Sequence, residues 1–319
     1  MPVRLYLMNI RAIIQLIRPV NLLLLAATMY AIDVFILEPN FNTYGILFTL
    51  DAFHFFLLVL STVLICAGGY VINDYFDVQI DAVNKPEKQI IGKKVTAAQA
   101  FNLYMVLSFT GLALGAYLSI KVDYWKLVTI HVVAMAILYF YSASFKKTPL
   151  LGNFLVALLA ALSVIIIIPF EPHLYNLARP GDYYIAGLCT HFILGIAAFA
   201  FTLTMVREIV KDMEDVRGDR QFNARTIAVA WGMQTARIFA LFFILVTLLA
   251  FGYLYNNILD HQFKAFLIYL ALMSAFLIFI GIRIAMAQTA LQCKRISTLL
   301  KLAMLLGLSL LPLYFILQF

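Results

Sequence analysis

AFHFFLLVLSTVLICAGGYVINDYFDVQID, residues 52–81, makes two statements in one stretch. Residues 52–73 contain no Lys, Arg, Asp or Glu. As a helix rising about 1.5 Å per residue they cross a hydrocarbon core of roughly 30 Å. The apolar run then ends in Asn73-Asp74-Tyr75-Phe76-Asp77-Val78-Gln79-Ile80-Asp81, with three carboxylates in nine residues. A second apolar run, 184–210, ends the same way in Lys211-Asp212-Met213-Glu214-Asp215-Val216-Arg217-Gly218-Asp219. Seven of the sixteen acidic residues of the chain therefore sit at the ends of two apolar runs. Crowding like charges there is unfavourable unless something positive neutralises them, and the usual neutraliser of clustered carboxylates is a divalent cation.

The rest of the chain has the same character. At 64% apolar and 12% charged residues it lies far from soluble globular usage and reads as an integral membrane protein. Apolar runs of spanning length fall at about 19–37, 52–73, 98–120, 124–143, 149–170, 184–210, 236–256, 263–286 and 298–317, which predicts nine transmembrane helices. With the N-terminus in the cytoplasm, nineteen Lys and Arg residues fall on that side. Only Lys121, Lys126, Arg179 and Lys264 fall opposite. This positive-inside bias places both acidic stretches on the cytoplasmic face of a cell-membrane protein and the C-terminus on the other. The net charge of +7 follows from topology, so no nucleic-acid partner is expected. The first apolar run has no small-residue cleavage site and reads as a retained anchor. Cys66, Cys189 and Cys293 lack metal-ligand spacing and His131 and His191 stand alone, so packing roles are expected for them. The loops are too short for a soluble domain, and residues 1–319 read as one helical domain.

Spacing turns the acidic stretches into candidate sites. If the second span stays helical, Asn73, Asp77 and Asp81 recur every four residues on one face. Asp212, Asp215 and Asp219 follow i, i+3, i+7 spacing, with Gly218 available for close approach or a helix end. Two such stripes facing each other across a cavity suit Mg²⁺, which takes hard oxygen ligands and bridges carboxylates to phosphate oxygens. The expected metal set is Asn73, Asp74, Asp77, Asp81, Asp212, Asp215 and Asp219, and the expected substrate is a phosphate or diphosphate. Lys85, Lys88, Lys146 and Lys147 supply counter-charge on the same side. The blander reading makes each acidic stretch a solvated helix cap and each lysine a topology signal.

These residues resemble those of the UbiA-type intramembrane prenyltransferases. Asn73–Asp81 fits the pattern N-D-x-x-D-x-x-x-D. Matching stretches are Arg18-Pro19-Val20-Asn21, YSASFKKTPLLGN from Tyr141 to Asn153, and REIVKDMEDVRGDRQFNART from Arg207 to Thr226. The last of these, with TPLLGN, is most similar to the ether-lipid branch, the digeranylgeranylglyceryl phosphate synthases. One departure stands out. Where relatives commonly read N-R-P-x-R-P-I-x-x-G, this chain has Asn84-Lys85-Pro86-Glu87-Lys88-Gln89-Ile90-Ile91-Gly92. Lysine keeps the charge there and loses the bidentate fork.

The resemblance implies an all-α fold of nine transmembrane helices around a central cavity open to the cytoplasmic side. It also implies Mg²⁺-dependent transfer from an isoprenyl diphosphate through an allylic carbocation. Asp77, Asp81, Asp212 and Asp219 would be catalytic through the metal. Lys85, Lys88, Lys146 and Lys211 would meet the diphosphate. Tyr141, with Tyr70 and Tyr139, would offer ring faces to the cation, and Arg18, Asn21 and Asn153 would contact the acceptor. The acceptor is geranylgeranylglyceryl phosphate for the ether-lipid branch or an aromatic acid such as 4-hydroxybenzoate for the quinone branch. A secondary transporter also places carboxylates among helices, but paired interrupted spans and a midplane site would be its signature.

Overall fold

The computed structural model describes residues 10–84, 86–175, 182–257 and 264–318. Arg4, Lys85 and Arg179, and the side chain of Lys88, lie outside the described residues. Among those described the chain is helical, with a lone β-bridge between Ile91 and Val95. Nine stretches among them are long and apolar enough to cross a membrane: 19–44, 52–76, 97–121, 125–143, 151–170, 183–221, 232–255, 264–286 and 290–318. The protein is an integral membrane protein, with spans where hydropathy predicts them. Three boundaries differ clearly from the prediction: the first span runs on to 44, the sixth to 221, and the ninth begins at 290. The chain divides into two compact units, Met1–Ala26 with Asp51–Phe145, and Ala27–Leu50 with Lys146–Phe319.

In the first unit, α1 (Ile10–Ile17) and the part of α2 (Pro19–Ile32) up to Ala26 are separated by Arg18, which has a left-handed φ of 54°. Proline disfavours helical backbone in the residue before it, so Pro19 starts a new helix and Arg18 makes the corner. α4 (Ala52–Phe76) starts at Asp51, whose side chain accepts the backbone N–H of His54, and α5 (Val78–Asn84) follows it. The next helix, α6 (Ala97–Lys121), opens with a capping box between Thr96 and Gln99. α7 (Val128–Ala143) completes the unit. Buried Ala12, Leu16, Val71, Ile72, Ile91 and Val95 pack together, so the turn at 90–95 is part of this core.

α4 and α6 approach closely because Gly68 and Gly111 carry no side chain, and Gly115 likewise makes room for the His131 ring of α7. Ser61 Oγ donates to the Gly111 carbonyl at 2.8 Å across the gap. A Cβ on Gly111 would stand 2.9 Å from the backbone oxygen of Ser61, which cannot swing aside as a side chain does.

In the second unit a π-helical turn, Asp33–Leu37, leads into α3 (Glu38–Tyr44), so the first span runs on past 37. Pro39 has no N–H for a continuous α-helical ladder, and a widened turn accommodates it. α8 (Leu151–Ile165) and α9 (Ile167–Phe170) precede α10 (Asp182–Gln221), which continues through the second acidic stretch. After α11 (Ile227–Ala230) come α12 (Gly232–Asn257), α13 (Lys264–Met286), α14 (Ala290–Leu308) and α15 (Leu310–Gln318). α14 begins well before 298 because Thr289 and Gln292 form a second capping box. Ile209, Val210 and Met213 of α10 pack with Ala236 and Ala240 of α12, Leu277 and Ile280 of α13, and Ile296 and Leu300 of α14. These positions recur at three- and four-residue intervals, as one helix face requires.

Gly111→Ala is expected to lower the thermal unfolding midpoint in detergent by a few degrees, reflecting about 1–3 kcal/mol of overpacking. Gly187 has nothing within 4 Å of an added Cβ. Gly187→Ala, inside α10, should leave the midpoint unchanged or raise it. Equal effects of the two changes would contradict the close α4–α6 contact.

Candidate functional site

The first acidic stretch straddles a helix break. α4 stops at Phe76 and Asp77 is its C-cap, with φ −92° and ψ 1°, before α5 resumes at Val78. The pitch survives the break. The N–H of Asp77 donates to Asn73 O at 3.0 Å and that of Asp81 to Asp77 O at 2.8 Å. Asn73, Asp77 and Asp81 therefore remain stacked at four-residue spacing although the helix is not continuous.

Asp74 has a different environment. Arg18 donates through Nη2 to Asp74 Oδ1, and its guanidinium lies over the Tyr70 ring, 4.9 Å from the centroid. Asn21 donates its side-chain amide to the Tyr70 hydroxyl, and Asn73 hydrogen-bonds to Asp74. The corner at Arg18 thus brings Arg18 against the acidic stretch of the same unit and Asn21 against Tyr70, one turn before it. Gln89 donates Nε2–H to the carbonyl of Val78 at 3.2 Å, tying the turn after α5 back to the break. Tyr139 lies edge-on to Phe76 at 5.7 Å, and Tyr141 is half-buried in the last turn of α7. Within the acidic stretch, Asn73 Oδ1 is buried with no hydrogen-bond partner.

In the second unit α10 carries Asp212, Asp215 and Asp219 on one continuous helix, and Gly218 lies inside it. The helix end falls later. Asn223 takes a left-handed φ of 54°, its N–H donates to Arg220 O at 3.4 Å, and that of Ala224 donates to Asp219 O at 2.8 Å. This is a Schellman stop with asparagine where glycine is commonest. Thr226 then donates Oγ1–H to Asp219 Oδ2 at 3.1 Å, so Asp219 is held through both backbone and side chain.

Asn153 donates Nδ2–H to Asp212 Oδ2 at 2.9 Å. It is brought there by a tight turn. Leu150 has a φ of 64°, and Leu151 N–H donates to Pro149 O at 2.7 Å, a γ-turn of the rarer hand that costs backbone energy. Lys146 sits in a 3₁₀ turn over Phe145–Lys147, and Arg225 N–H donates to Lys147 O at 2.9 Å. The Lys146-Lys147 turn and the ART segment are thereby joined.

One carboxylate absent from the sequence-based set is paired with two cations. Glu208 is buried and accepts from Arg207 Nη1 at 2.6 Å and from Lys211 Nζ at 2.9 and 3.0 Å. Lys211, expected to meet a diphosphate, is shared with this carboxylate. The i, i+3 spacing of Glu208 and Lys211 was a readable signal for the pair. Arg207 carries no such signal, and neither does Thr226.

Hard oxygen donors recur in both stretches, which suits Mg²⁺ chemically. Among the described residues no three His, Cys, Asp or Glu side chains form a ready-made cation cage. The orphaned Asn73 oxygen, stacked below Asp77 and Asp81, is the observation that fits a cation best.

Residues 43–305 match the UbiA prenyltransferase family. The digeranylgeranylglyceryl phosphate synthase of Methanothermobacter thermautotrophicus is 31% identical over 298 residues, covering 91% of each chain. That of Methanobrevibacter smithii is 33% identical over 190 residues, covering 60% of this chain and 62% of the relative, under two thirds of its length. A solved structure reported for digeranylgeranylglyceryl phosphate synthase in membranes superposes with a TM-score of 0.63 at 22% identity, over 96% of this chain and 97% of that one. A UbiA homolog from Archaeoglobus fulgidus bound to GPP and Mg²⁺ superposes with a TM-score of 0.57 at 16% identity, over 94% and 99%. At those identities the structures speak for the fold.

Glu208→Ala should leave Arg207 and Lys211 facing each other without their carboxylate and destabilise the protein by about 3 kcal/mol. The measurement is the thermal midpoint and the yield of monodisperse protein. Arg220→Ala, at an exposed position near the end of the same helix, should change neither. A Glu208→Ala protein as stable as the parent would show that the triad is not holding this helix.

Proposed function

The chain belongs to the UbiA prenyltransferase family, and on that premise we propose that it transfers a prenyl group from an isoprenyl diphosphate to geranylgeranylglyceryl phosphate. The products are a second ether bond on the glycerol and free diphosphate. The donor's allylic C–O bond breaks, diphosphate leaves with the electron pair, and the free glycerol hydroxyl attacks the allylic cation and loses its proton. The acceptor assignment is supported by the ether-lipid synthases among the relatives. The structural observation that carries the reading is the buried, partnerless Asn73 oxygen stacked with Asp77 and Asp81.

Mg²⁺, when bound, would neutralise the negative charge that grows on the departing diphosphate. Asn73, Asp77 and Asp81 in one stretch, and Asp212, Asp215 and Asp219 in the other, are the residues that would hold it. Asn153 orients Asp212 and Thr226 orients Asp219, so these carboxylates are fixed before any substrate arrives. We assign Asp74 a share in this set only through Asn73, because its own carboxylate is engaged by Arg18. Arg18 in turn is held against Tyr70, which keeps that ring and Asn21 in place. Lys85, Lys88, Lys146 and Lys211 serve as point charges for the leaving group. Tyr139 and Tyr141 present ring faces to the cation. We place the acidic stretches on the cytoplasmic side and assign residues 1–319 to one prenyltransferase domain.

The test is a radiolabelled transfer assay on detergent-purified protein, offering geranylgeranyl diphosphate with either geranylgeranylglyceryl phosphate or 4-hydroxybenzoate. Turnover with the glycerol phosphate is expected, abolished by EDTA and reduced at least about a hundredfold by Asp77→Ala or Asp212→Ala. Turnover with the aromatic acid alone would replace the acceptor and keep the chemistry. Turnover of neither would sink the prenyl-transfer reading. For sidedness, a cysteine at position 94 should react with an impermeant thiol reagent only once the membrane is opened.

A further inference from the structure

Arg207 reads from the sequence as one more topology charge, yet its guanidinium is only half used. Nη1, on the Cδ side of the group, donates to Glu208 at 2.6 Å. The opposite edge, where Nε–H and Nη2–H point the same way, is the fork that grips two oxygens of a phosphate or carboxylate at once. Nε on that edge is buried without a hydrogen-bond partner, in a side chain only 16% exposed. A buried, charged donor left without an acceptor lowers stability, and proteins keep few of them unless something comes to accept.

Two cations share one carboxylate here. Glu208 is shared by Arg207 and Lys211, which leaves the three-residue cluster one unit positive. Lys211 directly precedes Asp212, so the unclaimed edge belongs to the same helix as the second aspartate stretch. Glu208 also fixes the guanidinium, because a planar group pinned at Nη1 has its far edge set as well.

We propose that the Nε–H and Nη2–H edge of Arg207 binds a phosphate group of a substrate, with Glu208 as the residue that positions it. The identity of the substrate rests on the prenyl-transfer reading, under which both donor and acceptor bear phosphate oxygens. The anion site itself does not.

The experiment titrates detergent-purified protein with glycerol phosphate and, separately, with inorganic pyrophosphate, following the thermal midpoint of the parent, Arg207→Lys and Arg207→Gln. Arg207→Lys keeps a charge beside Glu208 and loses the fork. Its unliganded midpoint should stay near that of the parent while its half-saturating anion concentration rises about tenfold or more. Stabilisation of the parent by glycerol phosphate assigns the fork to the acceptor, and by pyrophosphate alone to the donor's diphosphate. In turnover the KM of that same substrate should rise by a similar factor, with kcat changed less than about threefold.

Unchanged half-saturation and unchanged KM values in both variants would overturn the proposal. So would a parent protein that turns over yet is stabilised by neither anion. A parent that binds anion through Arg207 and transfers no prenyl group would keep this site and overturn the function proposed above.

Discussion

An ionised side chain buried among apolar helices must be compensated where it stands, and this constraint organises the protein. Glu171 is buried at the end of α9 and accepts the backbone N–H groups of Thr49 at 3.0 and 3.1 Å and of Leu50 at 3.3 Å. Glu208 takes Arg207 and Lys211, Asp74 takes Arg18, Asp212 takes Asn153 and Asp219 takes Thr226. These pairings also determine local shape. The left-handed corner at Arg18, the γ-turn at Leu150 and the Schellman stop at Asn223 each deliver a partner to a carboxylate. Backbone strain of order 1–3 kcal/mol per such residue persists only where surrounding contacts over-determine it.

Hydropathy made the nine spans legible because crossing a bilayer demands about twenty apolar residues in a row, whatever else they do. It failed at their ends, where the cause is local. Residues 290–297 carry Gln292, Lys294 and Arg295, which lower the hydropathy of a stretch that is nonetheless helical. The capping box of Thr289 and Gln292 was visible there as a motif and outweighed polarity. Pro39 likewise argues for an end to the first span, and the π-helical turn before it carries the helix on.

The candidate site divides in the same way. Four-residue spacing picked out Asn73, Asp77 and Asp81, and the backbone keeps that spacing across a break that no residue type announces. Partners close in sequence, such as Glu208 and Lys211, follow from helix geometry. Partners far apart do not. Arg18 and Asp74 are 56 positions apart and Asn153 and Asp212 are 59, so only the packed structure brings them together. The role given to Arg207 depends on which edge of its guanidinium is occupied, and that is a matter of coordinates alone.

The length of α10 has a bearing on how a reaction here would end. Its 40 residues extend about 60 Å, roughly twice the thickness of bilayer hydrocarbon. Asp212 and Asp219 lie in the last quarter of that rod, so on the proposed topology one uninterrupted helix would link membrane depth to the aqueous boundary. A severed diphosphate would then have little hydrocarbon to cross on its way to water, while a double-chain lipid product would stay with the bilayer. The two products would part by solubility, without any need for the protein to move them in opposite directions.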